Sequence, residues 1–253
     1  MISKPVPFLI LALSLSLALG AAQAALALTE EETKRAEALI PLLDGEQEFW
    51  AIGEFVHIGP QALPVLAKAV QHPTRRIRMN AIETMFMIKD KAAVPILNAV
   101  AANEQEIGAV REKALRVAVR LDPAHALPAL QAMAKDPSET IRNAVVSESR
   151  FLKDKGVIDL LITMLADDSP SVADGAFRTL WSFTGRLVER QDFIQSTKEE
   201  RVEWAKDWAR WWAANGDRFQ FAPDRSSGPP PVMMPPGGFP MPPVDAKPAP
   251  MPP

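Results

Sequence analysis

The chain has 253 residues, 47% of them hydrophobic and 23% charged, with a formal charge of −3 and no cysteine. That apolar share can fill a packed core over one or two domains, while the missing thiol excludes disulfides, zinc–thiolate sites and a cysteine nucleophile. The near-neutral charge lacks the electrostatic footprint of a dedicated nucleic-acid binder.

The N-terminal segment reads as an export signal. Lys4 is its only charge, and none follows from Pro5 to Leu28. Phe8 to Leu19 is the apolar centre, and Ala22-Gln23-Ala24 offers the small-x-small pattern that a signal peptidase needs. Cleavage after Ala24 leaves a chain starting at Ala25; Ala25-Leu26-Ala27 is a second candidate. The other reading is an uncleaved anchor, since the uncharged run of 24 residues is long enough to span a bilayer. The short apolar centre and Ala-rich end favour cleavage. The expectation is a signal peptide over residues 1–24 and a periplasmic or cell-envelope protein, held at the membrane only if that segment stays.

Between Leu28 and Phe221 the sequence repeats itself. Ala62-Leu63-Pro64-Val65-Leu66, Ala93-Val94-Pro95-Ile96-Leu97, Ala126-Leu127-Pro128-Ala129-Leu130 and Val157-Ile158-Asp159-Leu160-Leu161 align, with third positions spaced by 31, 33 and 31. Ile77-Arg78, Val110-Arg111, Ile141-Arg142 and Val172-Ala173 form a second series, with second positions spaced by 33, 31 and 31. The mismatch amounts to two extra residues in one unit, expected in a loop near Ala102 to Gly108. Each unit predicts a helical hairpin, because proline fits a first helical turn, where its missing N–H bonds nothing. Breakers then make a turn, as in His72-Pro73-Thr74, Asp136-Pro137-Ser138 and Asp168-Ser169-Pro170. In the second helices Ala81, Ala114, Val145 and Ala176 allow close approach, and Ile82, Leu115, Val146 and Phe177 fill the seam. A lone hairpin cannot bury both faces, but a stack makes one core.

These four units in register resemble the HEAT repeats, in the short bacterial form also found in phycobilisome-lyase-like proteins. The likeness is strong over Ala62 to Phe183, and Glu30 to Val56, turning at Asp44-Gly45, is a weaker copy. It implies a right-handed α-solenoid of about five hairpins, all α, with second helices lining a concave binding face. It also implies an Asp–Arg ladder between repeats: Arg111 with Asp136 and Arg142 with Asp167. His72 and Gln105 stand where two repeats would carry the Asp, and Ala173 where the last would carry the Arg. One second helix also departs from the pattern: Ser147-Glu148-Ser149-Arg150 puts polar groups where the others carry Met85-Phe86, Ala118-Val119 and Leu180-Trp181. Either this is a binding spot, or the helix frays or shifts so that these groups face water.

After Gly185 a different helix is expected, about 196–215, opened by a capping box Ser196-Thr197-Lys198-Glu199 and stopped by Asn215-Gly216. Trp204, Trp208, Trp211 and Trp212 fall within about 100° of arc on it. Such a stripe needs cover: either it caps the last repeat, with Trp181 and Phe183 beside it, or it is a sticky or interfacial face. The mixed charges Glu203, Lys206, Asp207 and Arg210 favour the cap. Beyond it, residues 222–253 are expected to be a disordered tail; twelve of the last 25 residues are proline.

No sequence motif for catalysis appears. His57, His72 and His125 lack ligand spacing, and there is neither a phosphate loop nor a nucleophile elbow. We expect no catalytic residues, metal or cofactor, and a solenoid over 25–221 that scaffolds or helps assemble another protein in the envelope. The expected partner contacts are Arg78, Glu83, Arg111, Lys113, Arg116, Arg120, Arg142, Ser149 and Arg150, whose positive excess points to an acidic partner. The alternatives are a membrane-anchored adaptor acting through the Pro-rich tail, or a lyase-like protein that handles a chromophore.

Overall fold

The computed structural model describes residues 27–186, 193 and 195–221, so the expected signal segment and Pro-rich tail lie outside the described residues. The chain divides into a unit ending at Phe219 and a second, Gln220–Pro253; the described helices all belong to the first. Among the described residues there are eleven α-helices, four short 3₁₀ turns and no strand. They pair as α1 (Glu30–Ala38) with α2 (Glu48–Ile58), α3 (Leu63–Ala69) with α4 (Arg75–Ile88), and α5 (Val94–Ala102) with α6 (Gly108–Leu121). Two further hairpins join α7 (Leu127–Met133) to α8 (Glu139–Ser149) and α9 (Gly156–Met164) to α10 (Pro170–Thr184), before a last helix, α11 (Lys198–Asn215).

The expected α-solenoid of five hairpins is therefore present. Pro64, Pro95 and Pro128 occupy the first turns of α3, α5 and α7. The unit without that proline has Asp159 in the first turn of α9, where the helix dipole favours a carboxylate. Gly185, at φ 62°, ends α10 in the left-handed region, where a side chain is strained. The two extra residues of the third unit are not in its turn. They lengthen α5, which runs to Ala102, seven positions past its proline, where α3 and α7 run five. Adding residues to a helix end keeps their backbone hydrogen-bonded and leaves the register of α6 intact.

The second helices form one continuous layer, α2 on α4, α4 on α6, α6 on α8 and α8 on α10. Ala81, Ala114, Val145 and Ala176 are fully buried along the seam, with Ile82, Leu115, Val146 and Phe177 beside them. The first helices make the other layer, and α11 packs on α9 to continue it.

The tryptophan helix closes this end. Trp208 is fully buried and Trp212 nearly so, while Trp204 and Trp211 are half-buried. Trp204 and Trp208 meet the Phe177 ring edge-on at 6.2 and 6.4 Å, and Phe193 stacks on Phe177 at 4.4 Å. Trp181 is not the expected neighbour. It is 50% exposed, because α11 lies on α9 and leaves the end of α10 open. The Arg186 guanidinium rests over Trp208 (4.7 Å) and Trp211 (5.5 Å) and donates to Asp207 at 2.5 Å. The capping box is one residue later than expected: Thr197 accepts from the Glu200 N–H (3.2 Å) and Glu200 accepts from the Thr197 N–H (2.6 Å).

Trp208→Ala is expected to cost about 3–5 kcal/mol in urea unfolding, while Trp181→Ala changes stability by about 0.5 kcal/mol or less. The hydrogen bond from Arg186 holds the Asp207 carboxyl below its usual range. The stabilisation it brings is complete above the ordinary carboxylate pKa of about 4 and is lost as the pH falls through the folded value. Arg186→Gln should therefore flatten the acid limb of a melting-temperature profile.

Candidate interaction surface

Ion pairs that cross from repeat to repeat fix the register of the stack. Arg142 meets Asp167 through two bonds, Nε to Oδ2 at 2.8 Å and Nη2 to Oδ1 at 3.0 Å. Arg111 pairs likewise with Asp136, Nη1 to Oδ1 at 3.2 Å and Nη2 to Oδ2, and its Nε donates to the Ala101 carbonyl at 2.8 Å. Each guanidinium also ties down its surroundings; Arg142 donates to the carbonyls of Asp136 (2.9 Å) and Pro137 (3.2 Å). Both carboxylates cap the following helix by accepting the N–H of Ser138 (2.9 Å) and Ser169 (2.8 Å).

The ladder extends past the two rungs expected from the sequence. Arg78 pairs with Glu106, Nη2 to Oε1 at 2.8 Å, so the residue after Gln105 supplies the acid with a side chain one carbon longer. His72 does the capping half of the task, its Nδ1 accepting the Thr74 N–H at 3.1 Å. At α2 the polarity reverses: Glu48 takes the arginine's register and accepts from Arg76 Nε (2.8 Å) and Asn80 (3.3 Å). At α10, where Ala173 carries no charge, α11 takes over. Arg201 donates to the Asp167 carbonyl at 3.1 Å, and Lys198 pairs with Asp168.

The residues expected to meet a partner are divided by this arrangement. Arg78, Arg111 and Arg142 are turned inward and paired with acids in the ladder, so burial removes them from the surface. Ser149 is also buried, its hydroxyl donating to the Val145 carbonyl at 2.8 Å. The polar run neither frays towards water nor presents itself whole: α8 stops at Ser149, and only Ser147 and Arg150 of the four are exposed.

The reason lies in Glu148, a residue outside the expected set. Its side chain points towards α6 and is 1% exposed, with Arg116 Nε at 3.4 Å and Arg120 Nε at 3.3 Å from its two oxygens. Burying a carboxylate requires such partners. Arg116 is bonded as well to Glu112 one turn earlier on α6, and Lys113 reaches Glu83 of α4 at 2.7 Å. Arg120 and Arg150 lie over the ring of Phe151, at 5.2 and 5.0 Å, and that ring is 40% exposed. A groove of about 410 Å³ runs beside them between α4 and α6, lined by Met79, Glu83, Phe86, Lys113, Arg116 and Arg120. The surface thus carries two guanidinium groups on an aromatic ring, next to a third anchored on the same buried acid.

The histidines are scattered: His57 on α2, His72 in the turn before α4, and His125 beside Asp122 at 2.9 Å. Among the described residues no three His, Asp or Glu side chains converge as a metal site. No helix among them is long and apolar enough to cross a membrane.

Residues 104–181 match the family model of HEAT repeats. None of the curated proteins compared with the chain matches it. A solved structure similar to the chain belongs to the complex of CpcE and CpcF of phycocyanin lyase from Nostoc sp. PCC7120. The likeness has 19% identity and a TM-score of 0.45, covering 60% of this chain and 99% of that one.

Removing one partner of the buried rung, by Asp136→Ala, is expected to cost about 3–5 kcal/mol, because it strands Arg111 without its counter-charge. The double variant Arg111→Met/Asp136→Leu should recover most of that loss in urea unfolding. A double variant as unstable as the single one would show that the carboxylate acts through its cap of Ser138 instead.

Proposed function

We propose that this chain is a non-catalytic scaffold or assembly factor, exported to the cell envelope, and that it recognises an acidic segment of another protein on the outer face of α6 and α8. HEAT repeats are suited to this use, since a stack of hairpins offers a long surface from rigid helices. The observation that carries the reading is the buried Glu148 beneath Arg116 and Arg120. A carboxylate fixed from below holds both guanidinium groups in place, so less side-chain freedom is lost when a ligand binds. Their remaining N–H groups match carboxylates of a partner, and the exposed face of Phe151 accepts an apolar neighbour of those acids. Export follows from the apolar N-terminal segment and its Ala22-Gln23-Ala24 site.

The test is affinity capture from envelope extract with the wild-type chain and two variants. Arg150→Glu/Phe151→Ala alters only exposed groups, and Arg116→Gln/Arg120→Gln/Glu148→Gln removes the charges together so that no buried carboxylate is stranded. The wild type should hold its partner at about 50 mM salt and release it at about 0.5 M. Each variant should bind at least about 10-fold more weakly with unchanged helicity. Full binding by both variants, with loss only on deleting residues 222–253, would overturn the proposal.

A further inference from the structure

Consecutive junctions of the second-helix layer use one register with different side chains. Val117 on α6 and Glu148 on α8 each stand six positions past the ladder arginine of their own helix, Arg111 and Arg142. Glu148 occupies the junction of α6 with α8, where it meets Arg116 and Arg120. Val117 is shorter and carries no charge, and the junction of α4 with α6 is left as the groove of about 410 Å³. Phe86, near the end of α4, is half-buried and lines that groove with Val117. About one turn earlier on both helices, Lys113 and Glu83 pair from α6 to α4 at 2.7 Å and bound the slot between Phe86 and Val117 on that side. Arg120 stands one turn later on α6.

Arg116 and Arg120 border the slot, but the acid that orients them lies in the next junction, so their charge is directed towards α8. What remains between Phe86 and Val117 is hydrocarbon. It offers no partner to a carboxylate, an amide or a hydroxyl, and burying one of these there would forfeit its hydrogen bonds to water. An aliphatic side chain meets no such cost and takes apolar surface out of water. The rim decides what kind of chain can carry it. Glu83 is matched by Lys113 and Glu112 by Arg116, whereas Arg150 makes no ion pair among the described residues and Arg120 stays partly exposed. The excess is positive, so the entering side chain belongs on a segment that also brings acids.

We propose that the acidic segment bound on α6 and α8 also inserts one aliphatic side chain between Phe86 and Val117, so that the ligand is an apolar anchor among acids and not a uniform acidic run. This specificity rests on the acidic-segment reading proposed above. The probes are two synthetic peptides of about nine residues, long enough when extended to cross two helix spacings. Both are glutamates around a central residue, leucine in one and glycine in the other. They are titrated with the full chain at about 50 mM salt and followed by fluorescence anisotropy. The leucine peptide should bind at least about 10-fold more tightly than the glycine peptide. Phe86→Ala should bring the two within about 2-fold of each other, with circular dichroism to check that helicity is kept. In the wild type, nuclear Overhauser contacts should join the leucine methyl groups to the Phe86 ring and the Val117 methyl groups, a readout that does not depend on the variant folding. Equal, salt-sensitive binding of both peptides would overturn the anchor and leave the acidic-segment reading standing. A leucine preference that survives Phe86→Ala, or leucine contacts to Phe151 instead, would overturn the anchor as well. No binding of either peptide would overturn the acidic-segment reading, and the anchor with it.

Discussion

A hairpin of two short helices has more apolar surface than it can bury alone, and the rest of this protein depends on how neighbouring hairpins are held in register. The seam of alanines and larger aliphatics supplies the burial, but such a seam is permissive about sliding and rotation. The inward guanidinium–carboxylate rungs are not. Each arginine must meet an acid of the next turn and also carbonyls of its own surroundings, and a shifted hairpin would strand charges away from water. Their value is therefore more in specifying one stacking geometry than in net stabilisation.

The rungs also show how a repeat tolerates change. Where Gln105 stands at the acid's position, Glu106 reaches the same guanidinium; where Ala173 carries no charge, Lys198 and Arg201 arrive from a helix outside the repeats. At α2 the signs are exchanged. What persists is a charge-balanced contact at each junction. The two extra residues of the third unit obey the same constraint: they extend α5 and leave the turn that presents the acid undisturbed.

The ladder and the candidate binding surface use one chemistry in two environments. Deep rungs neutralise their charges internally and stiffen the stack. Glu148 differs in having two arginines at the rim, both partly open to solvent, so their charge is oriented by a buried acid while remaining in reach of a ligand. The aromatic ring of Phe151 beneath Arg120 and Arg150 extends that platform.

Repeat spacing, hairpin order, the alanine seam and the tryptophan cap were legible in the sequence, because each depends on periodicity within a few turns of helix. The rungs Arg111–Asp136 and Arg142–Asp167 were legible through the resemblance to HEAT repeats. The surface was not. A row of arginines looks alike in sequence whether it points inward or outward, and only the packed neighbours assign Arg78, Arg111 and Arg142 to the interior and Arg116, Arg120 and Arg150 to the rim. Ser147 to Arg150 read as uniformly polar, yet α8 keeps the common register, which places Glu148 and Ser149 inward and leaves Arg150 out. Local pattern settles which helices form and which faces are apolar; which charged groups remain for another molecule is decided by long-range pairing that balances each buried charge.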